Sequence, residues 1–111
     1  MEAATLHVEA GALAGFLRAI LGATGCSRQE AEEVAAHLLE ANLQGHDSHG
    51  IMLLPRYVQH VREGKLVPNV APHAERQEAS LAVFDGGRGY GQRVGRIAMD
   101  WAIGAARANG M

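Results

Sequence analysis

The chain has 111 residues, 48% of them hydrophobic, 20% charged and 5% aromatic, which is enough for one domain and too little for two. Ten Lys+Arg against twelve Asp+Glu give a formal charge of -2, which argues against a nucleic-acid or anionic-membrane partner. The single Cys26 excludes an intramolecular disulfide framework and any cysteine-cluster metal site built from this chain alone.

Thr5-Leu6-His7-Val8 reads as a short extended entry. From Glu9 the apolar positions Leu13, Phe16, Leu17, Ile20 and Leu21 follow helical spacing, and Gly25 suits the left-handed position that ends such a helix. Ser27-Arg28-Gln29-Glu30 is a capping box, in which the Ser27 hydroxyl accepts from the Glu30 amide and the Glu30 side chain returns to the Ser27 amide. The helix it opens carries Ala31, Val34, Ala35, Leu38, Leu39 and Asn42 on one face and should stop at Gly45. Residues 9–45 therefore predict an antiparallel helical hairpin.

Gly45-His46-Asp47-Ser48-His49-Gly50 is too polar to be core. Ile51, Leu54, Val58 and Val61 resume helical spacing as far as Glu63-Gly64. Pro55 is comfortable only in a first turn, so the regular helix should begin between Met52 and Leu54. Residues 64–75 read as a surface loop. Arg76 to Asp85 reads as a strand, apolar on both sides and so covered on both faces. Gly86-Gly87-Arg88-Gly89-Tyr90-Gly91 breaks it. A last helix then turns Val94, Ile97, Ala98, Trp101, Ala102 and Ala105 inward and stops at Gly110. The expected fold class is mostly α with a small β component: a helical hairpin, a third helix, short strands and a C-terminal helix. A lone strand or hairpin cannot stand as a sheet, so further strands are expected from beyond Met111 or from another chain, and the whole is expected to be a fragment of a larger α/β enzyme. No apolar run approaches the ~20 residues that cross a bilayer. The N-terminus shows no signal-peptide pattern, and a soluble, cytoplasmic protein is the expectation.

His46-Asp47-Ser48-His49 holds the densest chemistry of the chain. Histidine is the side chain that exchanges protons near neutrality, and a neighbouring hydroxyl can hold an imidazole tautomer or orient a substrate. Amides at a following helix start favour an anion. Arg56 can clamp a carboxylate through its planar fork, and Tyr57 can donate a phenolic hydrogen bond. Residue types alone thus point to proton transfer on a small carboxylated molecule. A plainer reading stands beside this one: Asp47 or Ser48 is the N-cap of the third helix, His46 and His49 are solvated loop residues, and Arg56 and Tyr57 serve surface and packing. His7, His37, His60 and His73 read as structural or solvent-facing, and Cys26 as a small space-filler. The glycine cluster sits where a dinucleotide-binding turn would, yet Gly89-Tyr90-Gly91 is followed by Val94 at the third glycine position, so the fingerprint fails.

Gly45-His46-Asp47-Ser48-His49-Gly50 followed by Leu54-Pro55-Arg56-Tyr57-Val58 resembles the signature of the malate/L-lactate/ureidoglycolate dehydrogenase family, nearest its bacterial hydroxycarboxylate dehydrogenase branch. Phe84-Asp85-Gly86 and Gly89-Tyr90-Gly91-Gln92 fit the same pattern, so the resemblance covers nearly the whole chain. It implies NAD or NADP as cofactor without a Rossmann domain, and interconversion of small 2-oxo and 2-hydroxy acids. It also implies a longer polypeptide in which a helical N-terminal part packs on a separate cofactor domain, assembled as a homodimer or larger oligomer. Ser48 and His49 would line the active site as catalytic residues, with His49 also near the nicotinamide, and Tyr57 would point there. Some members carry a carboxylate-binding arginine where this chain has Leu53, which leaves Arg56 as the substitute. The proton-accepting histidine and most nucleotide-binding loops would follow later than Met111, so this segment alone is expected to be inactive. Two other classes compete. One is a small helical metal-dependent hydrolase using His46 and Asp47 with His37. The other is a non-catalytic helical interaction domain, whose marker would be the lack of an exposed apolar face.

Overall fold

A computed structural model describes residues 4–111. Its elements are α1 (Ala10–Ala23), α2 (Arg28–Leu43), two single 3-10 turns (Asp47–His49 and Ile51–Leu53), α3 (Leu54–Arg62), β1 (His73–Gln77), β2 (Ala82–Asp85) and α4 (Gly91–Asn109).

Helix α1 starts because Glu9 caps it, its carboxylate accepting from the Gly11 and Ala12 amides at 2.8 and 2.6 Å. Those two donors hold the Glu9 carboxyl below the ordinary carboxylate range. The helix ends at Thr24, followed by Gly25 at φ +109°. Helix α2 packs along α1, and Leu17, Leu21, Cys26, Ala31, Val34, Ala35 and Leu38 form the buried centre with Leu54 and Tyr90. Leu39 and Asn42 are only half-buried. Phe16, expected on the inner face of α1, is 61% exposed: it flanks an apolar groove between α1 and α3 instead of entering the core.

Half of the expected capping box forms. The Ser27 hydroxyl accepts from the Glu30 amide at 3.2 Å, but the Glu30 side chain does not return to Ser27. Asn69 takes that place. Its Oδ1 accepts from the Ser27 amide at 2.6 Å, its Nδ2 donates to the Gly25 carbonyl at 2.7 Å, and its own amide donates to Glu30 Oε1 at 2.7 Å. Glu30 is fully buried in consequence, with Arg93 Nε 3.9 Å from its other oxygen. A left-handed Asn69, φ +64°, thus ties the α1–α2 joint to the loop that precedes the strands.

Helix α3 begins at Leu54, with Pro55 in its first turn and Leu53 as an N-cap that makes no side-chain hydrogen bond. The expected single strand is a hairpin. Strands β1 and β2 pair antiparallel in the register His73 to Asp85 and Gln77 to Ala82, with an irregularity between Ala74 and Arg76. The loop therefore ends earlier than expected, because the polar run His73-Ala74-Glu75-Arg76-Gln77 serves as the partner strand. Only one face is covered: Ala74, Ala82 and Phe84 are half-buried while Val83 is 47% exposed. Phe84 meets Trp101 of α4 edge-on, ring centroids 6.0 Å apart. Residues Gly86 to Gly89 make a tight turn closed by the Gly89 amide on the Gly86 carbonyl, with Gly87 at φ +58° and Arg88 at φ +61°, the mirror-image turn that suits a twisted strand end. Val94, Ile97, Ala98, Trp101 and Ala105 are half-buried on the inner side of α4, whereas Ala102 is exposed. The helix stops where Gly110 adopts φ +79°. Among the described residues no helix is long and apolar enough to cross a membrane.

Candidate functional site

The polar segment after α2 is shaped by one side chain of that helix. Asn42 Nδ2 donates to Asp47 Oδ1 at 2.9 Å, and Asn42 Oδ1 accepts from the Ile51 amide at 2.7 Å. The amide group therefore bridges both ends of the Asp47–His49 turn. Gly50 lies beneath it, buried, and a Cβ at that position would fall inside the Asn42 side chain. Backbone bonds from the His49 amide to the His46 carbonyl at 3.0 Å, and from the Gly50 amide to the Asp47 carbonyl at 3.1 Å, close the turn.

This construction turns the reactive groups outward. His46, Asp47, Ser48 and His49 are all exposed. Ser48 Oγ lies 3.0 Å from His49 Nδ1, and the His46 and His49 rings sit 5.5 Å apart between centroids. The N-cap reading of Asp47 or Ser48 is not what forms: the Asp47 carboxylate is taken by Asn42 and α3 is capped by neither residue. The hydroxyl pairs with Nδ1 in either tautomer, since it can donate or accept, and leaves Nε2 free for a ligand.

Arg56 and Tyr57 part company on α3. Arg56 is exposed and makes no hydrogen bond or ion pair among the described residues, so its fork is open to an anion. Tyr57 is half-buried; its hydroxyl accepts from Gln92 Nε2 at 2.9 Å, and its ring meets that of Tyr90 edge-on at 5.6 Å. Leu53 packs against the core. Ser48 and His49 are thus brought together, while Tyr57 is tied to the start of α4. Sequence reasoning missed Asn42 as the builder of the turn, having placed it on the inner face of a helix, and missed Gln92 altogether. The only hint for Asn42 was a polar residue at an inward position.

The cavities lie elsewhere. One of about 490 Å³ is bordered by Arg18, Cys26, Arg28 and Glu32. An apolar groove of about 330 Å³ runs between Leu13, Phe16 and Ile20 on one side and Ile51, Pro55 and Val58 on the other. Cys26 is a buried space-filler, as expected, and burial pushes its thiol up to about 11. Tyr90, 1% exposed, is raised above the ordinary phenol range by the same cause. His37 is exposed on α2 and does not join His46 and Asp47: among the described residues no three His, Cys, Asp or Glu side chains gather to hold a metal ion. Exposed Phe16, Met52, Met99 and Ile103 likewise deny the interaction-domain reading its marker. The glycine turn packs on Val70: a Cβ at Gly87 would stand 2.7 Å from Val70 Cγ1 and one at Gly89 would stand 3.1 Å from Val70 Cβ.

Ser48 and His49 form an exposed hydroxyl–imidazole pair, and Arg56 is an exposed guanidinium on the helix that follows. The chain is 37% identical over 110 residues to hydroxycarboxylate dehydrogenase B of Escherichia coli K12, covering 99% of this chain and 28% of the relative. It is 38% identical over 101 residues to a malate dehydrogenase of Pyrococcus abyssi, covering 89% of this chain and 27% of the relative. The solved malate dehydrogenase of Pyrococcus horikoshii superposes with a TM-score of 0.90 at 33% identity, over 95% of this chain and 30% of that one. The chain therefore spans rather under a third of the length of the proteins it matches. A family profile described as malate/L-lactate dehydrogenase matches residues 8–111, and with helices, turn and hairpin all superposing on solved members, the chain belongs to the malate/L-lactate dehydrogenase family.

Proposed function

We propose that this chain forms the substrate-facing N-terminal part of an NAD- or NADP-dependent oxidoreductase that interconverts a small 2-oxo acid and the corresponding 2-hydroxy acid. The observation that carries the reading is the exposed Ser48–His49 pair, Oγ to Nδ1 at 3.0 Å, on a turn locked from behind by Asn42. When bound, the nicotinamide supplies or accepts the hydride. What falls to the protein is orientation and proton handling. His49 meets the substrate through Nε2 as a hydrogen-bonding group that orients the reacting oxygen, while the proton itself is exchanged with the histidine that the family resemblance implies later than Met111. Ser48 holds the ring by Nδ1. The Arg56 fork takes the substrate carboxylate, and the Tyr57 hydroxyl adds a donor. His49 would also help to hold the nicotinamide.

The family's cofactor-binding part lies outside the stretch these 111 residues match, so the chain alone is expected to be inactive. Assembly as a homodimer in the cytoplasm, with no nucleic-acid or membrane partner, completes the proposal. It is tested by joining the chain to the complementary part of the Escherichia coli relative and following nicotinamide absorbance with L-malate and L-lactate. The joined enzyme should turn over one of them, and Ser48→Ala with His49→Ala should lower kcat by about a hundredfold or more. Undiminished turnover in the double variant removes the mechanism.

A further inference from the structure

The hydroxyl of Tyr57 is held in an unusual state of use. A phenol has one hydrogen to give and lone pairs to receive. Gln92, in the first turn of α4, donates Nε2 to the phenolic oxygen at 2.9 Å. Among the described residues this is the one hydrogen bond the Tyr57 hydroxyl makes, so its accepting side is engaged while its hydrogen has no protein acceptor. The ring cannot swing away to find one easily. It rests edge-on against Tyr90, which is 1% exposed and part of the core. Gln92 is itself fixed at the end of the tight glycine turn, whose packing against Val70 leaves no room for a Cβ at Gly87 or Gly89 without displacement.

We propose that Gln92 is a positioning residue for Tyr57: by occupying the phenolic oxygen's accepting side it reserves the O–H as a donor to a carboxylate or carbonyl oxygen of the substrate. The identity of that acceptor rests on the oxidoreductase reading; the state of the phenol does not. The reverse amide orientation would place Oε1 against the phenol and spend its hydrogen inside the protein. The two arrangements are chemically distinct and can be told apart.

Raman spectroscopy of the chain itself provides the first readout, because the tyrosine Fermi-doublet ratio distinguishes an accepting phenol from a donating one. The Tyr57 signal is isolated by subtracting the spectrum of Tyr57→Phe. It should show an accepting phenol in the unaltered chain. In Gln92→Glu, where the new carboxylate can only accept, the ratio should fall to that of a donor, and in Gln92→Leu the accepting character should disappear. A Tyr57 signal that is already that of a phenol donating without accepting in the unaltered chain, or that is unmoved by either substitution, overturns the proposal.

Kinetics of the joined enzyme provide the second readout. Gln92→Leu and Gln92→Glu should each lower kcat/KM by roughly threefold to tenfold, the scale of one hydrogen bond, and neither should lower it further in a Tyr57→Phe background. Full additivity with Tyr57→Phe would show that Gln92 acts by another route and overturns the positioning role. The Ser48→Ala, His49→Ala variant separates the two claims: its failure to lose turnover sinks the oxidoreductase mechanism, whereas the Raman result alone decides the state of the phenol.

Discussion

At the scale of single residues, the site depends on a side chain that does no chemistry. Asn42 joins Asp47 to the Ile51 amide, and the turn that presents Ser48 and His49 exists because Gly50 leaves Asn42 room. The backbone of Gly50, at φ -99°, lies outside the left-handed region, so the requirement is one of space and not of torsion. Gly50→Ala should therefore act by overpacking, costing about 1–3 kcal/mol, and should loosen the Asp47–His49 turn as the Asn42 amide is displaced. Urea unfolding reads the first effect, and histidine chemical shifts of His46 and His49 read the second. A variant of unchanged stability with unchanged shifts would show that Asn42 is free to move. Residue types marked the His46–His49 segment as the densest chemistry of the chain but left a plain capped loop as an equal reading, and the family resemblance singled out Ser48 and His49. The amide that holds the pair was not legible, since nine residues separate Asn42 from Ile51 in sequence and nothing local pairs them.

Between elements, the decisive joint is Asn69. A serine followed three residues later by glutamate is ordinarily a local motif that satisfies its own helix end. Here the glutamate is withdrawn into the core and receives the Asn69 amide, while the Asn69 side chain takes the Ser27 amide and the Gly25 carbonyl. A distant loop thereby completes the cap. Asn69→Ala should cost about 2–4 kcal/mol, from two lost hydrogen bonds and a left-handed φ that alanine resists. Asn69→Gly, which accepts that φ freely, should cost clearly less. Equal losses in the two variants, measured by thermal unfolding, would remove the torsional part of the argument. The hairpin was half legible for a related reason. Alternating apolar residues marked β2, but β1 is polar and becomes a strand only because β2 offers it an edge and Phe84 docks on Trp101.

For the whole molecule, shape follows from where the core stops. The radius of gyration is 16.5 Å, with extents of 55 × 30 × 26 Å, against about 13 Å for a compact chain of this length. The buried core residues come from α1, α2, Cys26 in the joint between them, the start of α3 and Tyr90, and α4 contributes none. Its second half, with Met99 60% and Ile103 43% exposed, is held mainly by the hairpin and by Asn109 Nδ2 donating to the Ala79 carbonyl at 2.7 Å. Amide hydrogen exchange on the chain should accordingly protect α1 and α2 most, and β1, β2 and the second half of α4 least, by about a hundredfold or more. Uniform protection through α4 would show that its inner face is better packed than its exposure indicates.

The amino-acid sequence by itself determined the helical hairpin, a start of α3 between Met52 and Leu54, the stop at Gly110 and a polar loop that carries Ser48 and His49, since each rests on periodicity, proline, glycine or residue chemistry within a few positions. Family membership was legible from the resemblance of the Gly45–Gly50 and Leu54–Val58 segments to the family's signature, and the family profile over residues 8–111 bears it out. Only the tertiary structure decided that Glu30 lies buried against Asn69, that Phe16 faces a groove, that β1 exists and that Tyr57 belongs with Gln92. These outcomes depend on partners between 35 and 39 residues apart for the hydrogen-bonded pairs, and a hydrogen bond or an apolar face is satisfied by whatever group the fold brings within reach, which no local pattern specifies.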